Sequence, residues 1–294
     1  MGRLRSAGLQ MLVEKGLDIK PTPRQAFILG TAWSDPKVLR GNGFKLDFQF
    51  TFSEVGIEAG AGAGHPNKFL FGTWHDKNVV ISQGRVHLYQ EHPGEESQIR
   101  KWMSILLALM DQGTRIVITS SVGGLSPKVR TGMVVQPTGL ISAVMPMPYL
   151  NGNESEFVMS EHLLWINHRE PVINRPLVQS TFEKAADHAG LFHLSEAIHK
   201  LVPGPGFAGA TERRLWASWG CDTVGMSLDP ELRIIELENM DNAGSKRYPS
   251  INVFAAFIVT DDHDRTKHDE ICAEANKRTP QLGKFLSYVA HSEW

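Results

Sequence analysis

Only two cysteines, Cys221 and Cys272, occur in 294 residues. Two thiols cannot build a disulfide framework, and without a CxxC pair they make no recognisable metal motif. Such sparse cysteine usage suits a reducing interior such as the cytosol. No apolar stretch approaches the length needed to span a bilayer. The opening MGRLRSAGLQ is basic, but the apolar run behind it is too short for a signal peptide. Gly2 and Ser6 fit a myristoylation pattern, which we read as chance because Arg3 follows the glycine and no second anchor is present. Charge of one sign is also lacking. The formal net charge is -2, which gives no reason to expect nucleic acid or a membrane surface as partner. No GKS or GKT follows a glycine-rich stretch, so a Walker-type phosphate loop is absent. There is no linker, repeat or low-complexity tract, and one domain over residues 1–294 is the simplest organisation.

What is present is the composition of a globular protein, 41% hydrophobic and 21% charged. Short runs rich in β-branched residues recur: QAFILG (25–30), NVVISQG (78–84), RIVITSS (115–121), GMVVQP (132–137) and INVFAAFIVT (251–260). Their length and their Gly, Pro or Ser borders predict buried strands. Between them, EESQIRKWMSILLALMDQG repeats apolar residues at spacings of three and four, with Glu95 and Glu96 at its start and Gly113 past its end, the pattern of a helix. Further helices are expected over about 182–200, 210–219, 229–240 and 266–291. Strands alternating with helices predict an α/β protein, a mixed sheet flanked by helices on both faces. EAGAGAGHPN (58–67) reads as a glycine-rich loop.

In open α/β folds, ligands gather at the carboxyl ends of strands. Five polar strand ends stand out here: LGTAWS, GRVHLY, TSSVGGLSP, VGMS and VTDDHD. In GRVHLYQEHP (84–93) the residues Arg85, His87 and Tyr89 alternate, so a strand tail would present them on one face. Arginine offers a planar fork for phosphate or carboxylate, and histidine a further donor. Thr31, Ser121 and Ser227 add hydroxyls at strand ends, completing a cradle for an oxyanion. The Gly123–Gly124 pair lets backbone approach a ligand closely. An anion site without a Walker loop points to inorganic phosphate or a small phosphorylated compound. DDHDRTKHDE (261–270) clusters Asp and His, but reads as a solvated helix start and not as a metal site.

Five segments in order, ILGTAWS, GRVHLYQEH, TSSVGGLSP, GPGFAGATERR…GCDTVGMSLDPE and FIVTDDHD, resemble the trimeric purine nucleoside phosphorylase family and its methylthioadenosine phosphorylase relatives. The resemblance implies a phosphorylase-I type fold, a homotrimer, a cytoplasmic location and no cofactor beyond inorganic phosphate as co-substrate. It implies that Thr31, Arg85, His87, Ser121 and Ser227 bind phosphate, with His65 beside it on the loop. It sets Tyr89 and Met226 against the ribose and His268 at the 5′-hydroxyl. Gly123, Phe207 and Val224 line the purine slot, and Asp261 bonds the purine edge. His87, His65 and Asp261 are the residues nearest the chemistry. Taken alone, Phe207, Val224 and Met226 would read as core.

Three departures from the family pattern matter. Ala208 stands where 6-oxopurine enzymes carry a glutamate, and Glu212, four residues on, is not counted as its replacement. Asp261 stands where those enzymes carry asparagine. Aspartate accepts hydrogen bonds and, if protonated, can donate to N7. It also occurs in the methylthioadenosine phosphorylases, so it points to a 6-aminopurine. Gln90 replaces a glutamate that orients the histidine, and can bond the imidazole without adding charge. The aromatic wall that a neighbouring subunit usually supplies is not recognisable, although Tyr149 and Phe157 stand in that region. The expected reaction is phosphorolysis of a purine nucleoside to free base and ribose 1-phosphate. A nucleoside hydrolase on the same fold and a non-catalytic nucleoside or base binder remain open as alternatives. A polar His268 at the 5′ position favours adenosine over methylthioadenosine.

Overall fold

The computed structural model describes residues 2–17, 23–60, 65–92, 95–110, 112–142, 176–245, 247–248, 250–262, 273 and 277–294. In chain order the elements begin with α1 (Arg3–Glu14), β1 (Gln25–Leu29), α2 (Pro36–Leu39), β2 (Phe44–Thr51), β3 (Lys68–Trp74) and β4 (Lys77–Gln83). There follow α3 (Gln98–Leu109), β5 (Arg115–Gly124), β6 (Val134–Ile141), α4 (Pro176–Ala189) and β7 (His193–Leu201). The described chain ends with α5 (Ala210–Ser218), β8 (Thr223–Gly225), α6 (Asp229–Asp241), β9 (Asn252–Asp262) and α7 (Thr279–His291).

Every residue of β1 is buried, as an unbroken apolar run requires when both faces of a sheet are covered. Its parallel neighbours are β4 and β5, and the β2–β3–β4 meander extends the sheet antiparallel beyond β4. The strand order is β2-β3-β4-β1-β5-β8-β7-β6-β9, and β9 also pairs in parallel with β5. That last pairing closes β5, β8, β7, β6 and β9 into a ring. The sheet is mixed, as expected.

Alternate residues of one strand serve two cores. Ala26 and Ile28 join α1, α3 and α6 through Leu4, Trp102, Leu106 and Ile235. Phe27 and Leu29 join α4 and α7 through Phe182, Phe285 and Val289 on the opposite face. Helix α3 starts at Ser97, whose hydroxyl accepts from the Arg100 N–H at 3.1 Å.

Two local expectations fail. The span 182–200 is not one helix: α4 ends at Ala189, Gly190 turns the chain at φ +65°, and β7 begins at His193. The apolar spacing in SEAIHKL fits either period, and parallel pairing with β6 and β8 on its two sides selects the strand. Nor is 84–93 a strand tail. Strand β4 stops at Gln83, Gly84 takes φ +120°, and Leu88–Gln90 forms a 3₁₀ turn. A side chain at Gly84 would collide with Asn67 Oδ1 at 2.7 Å, so the bend requires glycine. The expected helix over 266–291 is described from Thr279 onward. Residues 61–64 of the glycine-rich loop, most of the 261–270 cluster, Cys272, His268, Tyr149 and Phe157 lie outside the described residues. Among the described residues no helix is long and apolar enough to cross a membrane.

Candidate active site

The ends of β1, β5, β8 and β9 open onto one cavity of about 370 Å³. Thr31, just past β1, and Ser121, on β5, are tied together there, the Ser121 hydroxyl donating to the Thr31 carbonyl at 2.7 Å. The neighbouring Ser120, absent from the sequence expectation, donates its hydroxyl to Ser227 Oγ at 3.1 Å. Its signal was the unremarkable SS pair. Ser120 and Ser227 also line the cavity.

Arg85 reaches this end although its backbone is not in a strand. It is 2% exposed, donating through Nη1 to Glu231 Oε1 at 2.7 Å and through Nη2 to the Thr119 carbonyl. Its buried Nε has no hydrogen-bond partner among the described residues. Burial pushes the guanidinium pKa down, and Glu231 opposes that. Glu231 sits in the first turn of α6, where its other oxygen accepts from the Leu228 N–H at 2.8 Å.

His87 Nδ1 lies 3.2 Å from the Met226 carbonyl, an acceptor, so Nδ1 carries the proton. Its Nε2 is 3.3 Å from His65 Nε2, which is also 3.4 Å from Thr31 Oγ1. Burial and the Arg85 charge hold the His87 pKa down to about 4, against a smaller opposing effect of the Met226 bond. The ring is therefore neutral at pH 7. Tyr89 stacks on it at 5.3 Å between centroids and 11° between planes. Tyr89 and Met226 both line the cavity, and burial raises the pKa of the phenol. Gln90 corrects the expectation about the imidazole: its Oε1 accepts from the His87 backbone N–H at 2.7 Å, closing the 3₁₀ turn and not touching the ring.

At the other end, Val224 of β8, Gly123 of β5 and Asp261 of β9 are cross-strand neighbours. A Cβ on Gly123 would lie 2.9 Å from Asp261 Oδ1 and 3.3 Å from Val224 Cγ1, so glycine keeps this slot open. The β5–β9 register shifts between Val122 and Gly123, the kind of irregularity that re-aims side chains beside a site. Phe207, half exposed, and Ala208 line the same region. Glu212 does not: its carboxylate accepts from the Gly209 N–H at 2.8 Å and caps α5. The residue that the sequence gave no sign of is Arg213. Its Nη1 donates to Asp261 Oδ2 at 2.6 Å and its Nη2 to the Gly124 carbonyl at 2.8 Å. The carboxylate is thus held as one half of an ion pair. Among the described residues no group of His, Cys, Asp or Glu is placed to hold a metal ion.

A family model described as the phosphorylase superfamily matches residues 49–289. The chain belongs to the phosphorylase superfamily. Within it, the chain is 23% identical over 258 residues to purine nucleoside phosphorylase of Bos taurus, covering 83% of this chain and 81% of that one. It is 23% identical over 147 residues to S-methyl-5′-thioadenosine phosphorylase of Nitrosopumilus maritimus, covering 50% of this chain and 53% of the relative. The solved structure of Schistosoma mansoni purine nucleoside phosphorylase in complex with inosine superposes with a TM-score of 0.73 at 19% identity, covering 98% of this chain and 97% of the other. The same enzyme in complex with adenosine gives 0.70, also at 19% identity, over 99% and 97%. The superfamily resemblance read from the five motifs is borne out, and so is the mixed α/β fold.

Proposed function

We propose that the protein is a pentosyltransferase that cleaves purine nucleosides with inorganic phosphate, yielding free base and ribose 1-phosphate, and that it prefers a 6-aminopurine. The observation that carries this reading is one cavity, one end of which we read as an oxyanion cradle and the other, floored by Gly123, as the base slot. Arg85, His87, Thr31, Ser121 and Ser227 supply or position the donors of the cradle. The cavity volume suits a nucleoside more than a larger cofactor.

In this mechanism phosphate is held by the Arg85 guanidinium and the hydroxyls, and an oxygen of it faces C1′ of the ribose. Tyr89 and Met226 confine the sugar, with His268 assigned to its 5′-hydroxyl. As the C1′–N9 bond breaks, positive charge develops on the ribose and the bound dianion stabilises it. Orientation and charge placement carry the reaction, with no covalent protein intermediate. His87, with its neutral ring, and His65 bridge between the cradle and the sugar. The preference for a 6-aminopurine rests on Asp261, an acceptor for an exocyclic N–H, and on Ala208, which offers no acceptor to N1–H of a 6-oxopurine. A homotrimer, a cytoplasmic location and a single domain over 1–294 belong to the same proposal, on the strength of the motifs.

Purified protein incubated with adenosine, inosine, guanosine or methylthioadenosine, with and without phosphate, tests it by chromatography of the released base. Release that requires phosphate, fastest from adenosine, supports the reading. Release without phosphate makes the protein a hydrolase, and release from none favours an unusual nucleoside or a non-catalytic binder.

A further inference from the structure

The base end of the cavity contains a buried charge pair in which Asp261 has a role in the proposed reaction and Arg213 has none. Arg213 and Asp261 have side chains only 12% and 6% exposed, and both line the cavity. The guanidinium is fixed twice, on Asp261 Oδ2 and on the Gly124 carbonyl, so its plane cannot swing away. Asp261 Oδ1 is the atom nearest to where a Cβ on Gly123 would stand, at the edge of the slot. The slot therefore meets an acceptor and a permanent cation side by side. Arginine has five donors, and the two bonds described leave others for a ligand.

We infer that Arg213 and Asp261 together read one edge of the purine, Asp261 accepting from the 6-amino N–H and Arg213 donating to N7. The inference rests on the phosphorolysis proposed above and assigns its leaving-group stabilisation to Arg213. When C1′–N9 breaks, the bonding pair passes to the purine, and a phosphate oxygen forms the new bond to C1′. The departing purine becomes an anion, with much of its charge on the imidazole ring. A bare carboxylate beside that ring would repel it; the Arg213 cation neutralises that charge and adds a charged donor at the same edge. Arginine does not give up its proton at neutral pH. The purine instead takes a proton from water, matched by the one that hydrogen phosphate releases once it has become an ester. A 6-oxopurine would set its carbonyl oxygen against Asp261, two acceptors in contact. The same pair thus supplies both base selectivity and charge stabilisation.

The test compares adenosine with 7-deazaadenosine, which replaces N7 by a carbon and has no acceptor there. In the wild-type protein, calorimetry should show adenosine bound at least ~10-fold more tightly, the scale of one charge-assisted hydrogen bond. Arg213→Gln should lose that preference and lower kcat for adenosine by roughly 100-fold, as removal of a donor to developing charge does. Arg213→Lys should restore part of both. If Arg213→Gln fails to fold, the Arg213→Gln/Asp261→Asn double variant, which has no buried charge, should also bind the two nucleosides alike. A wild-type enzyme active on adenosine whose N7 preference survives in these variants would overturn the inference alone. A wild-type enzyme that releases no adenine in phosphate overturns the phosphorolysis reading, and the inference with it.

Discussion

Arg85 and Glu231 form an ion pair of 2.7 Å with side chains only 1% and 2% exposed. They lie 146 residues apart, and the carboxylate faces the cation behind the proposed oxyanion cradle. Removing one partner of such a pair leaves an uncompensated buried charge, at a cost of about 3–5 kcal/mol. Glu231→Gln should therefore lower the melting temperature in phosphate-free buffer. Phosphate then becomes the main counter-charge for Arg85, so adding it should raise the variant's melting temperature more than the wild type's. Equal shifts in both proteins would mean that phosphate does not meet Arg85.

Neutral His87 makes a different kind of prediction. With its pKa held at about 4 by burial and by Arg85, the ring should show no titration between pH 5 and 8 in NMR spectra of the phosphate-free protein. Bound phosphate brings negative charge beside it and favours the protonated ring, so saturating phosphate should move the titration upward. A His87 that titrates near its ordinary value in both states would remove it from the cradle.

Gly123→Ala separates the two ends of the cavity. The new methyl would press on Asp261 Oδ1 and Val224 from the slot floor, while the cradle lies elsewhere. We expect KM for the nucleoside to rise by roughly 10-fold, about the cost of a modest overpacking strain, with phosphate affinity unchanged. Loss of phosphate binding to the same extent would place Gly123 in the wrong half of the site.

His199 carries a prediction about acid stability. It is completely buried, bonded through Nδ1 to Thr223 Oγ1 at 3.0 Å, and burial with the Lys200 charge holds its pKa at about 3 against an ordinary value of 6.5. Below pH 6.5 the unfolded chain takes up a proton that the native ring refuses, so stability falls as pH drops toward 3. Over that window the loss is of the order of a few kcal/mol. His199→Gln should flatten the dependence of denaturation midpoint on pH between 6.5 and 4. An unchanged slope would show that other groups set the acid limit.

Much of the fold is legible in the chain because its signals are local. QAFIL and INVFAAFIV are too apolar and too short to be anything but covered strands, and both proved buried. The segment 193–201 misled because its periodicity is ambiguous and its flanking strands decide the outcome. Arg85, His87 and Tyr89 were grouped by strand alternation, yet they meet in the cavity through a glycine bend and a 3₁₀ turn. The three residues do meet, but not for the reason that alternation gave.

The sequence by itself determined which residue types gather at the strand ends: hydroxyls, an arginine, histidines and a glycine pair, bordered by apolar runs. Those choices are visible because each is a property of a few consecutive residues. Only the tertiary structure decided what each charge faces. Glu231 behind Arg85, and Arg213 on Asp261 across 48 residues, leave no pattern in the chain. Their partnership follows from the closure of β9 on β5 and the placement of α5 and α6 over strand ends, where burial leaves a charge little choice but to be paired.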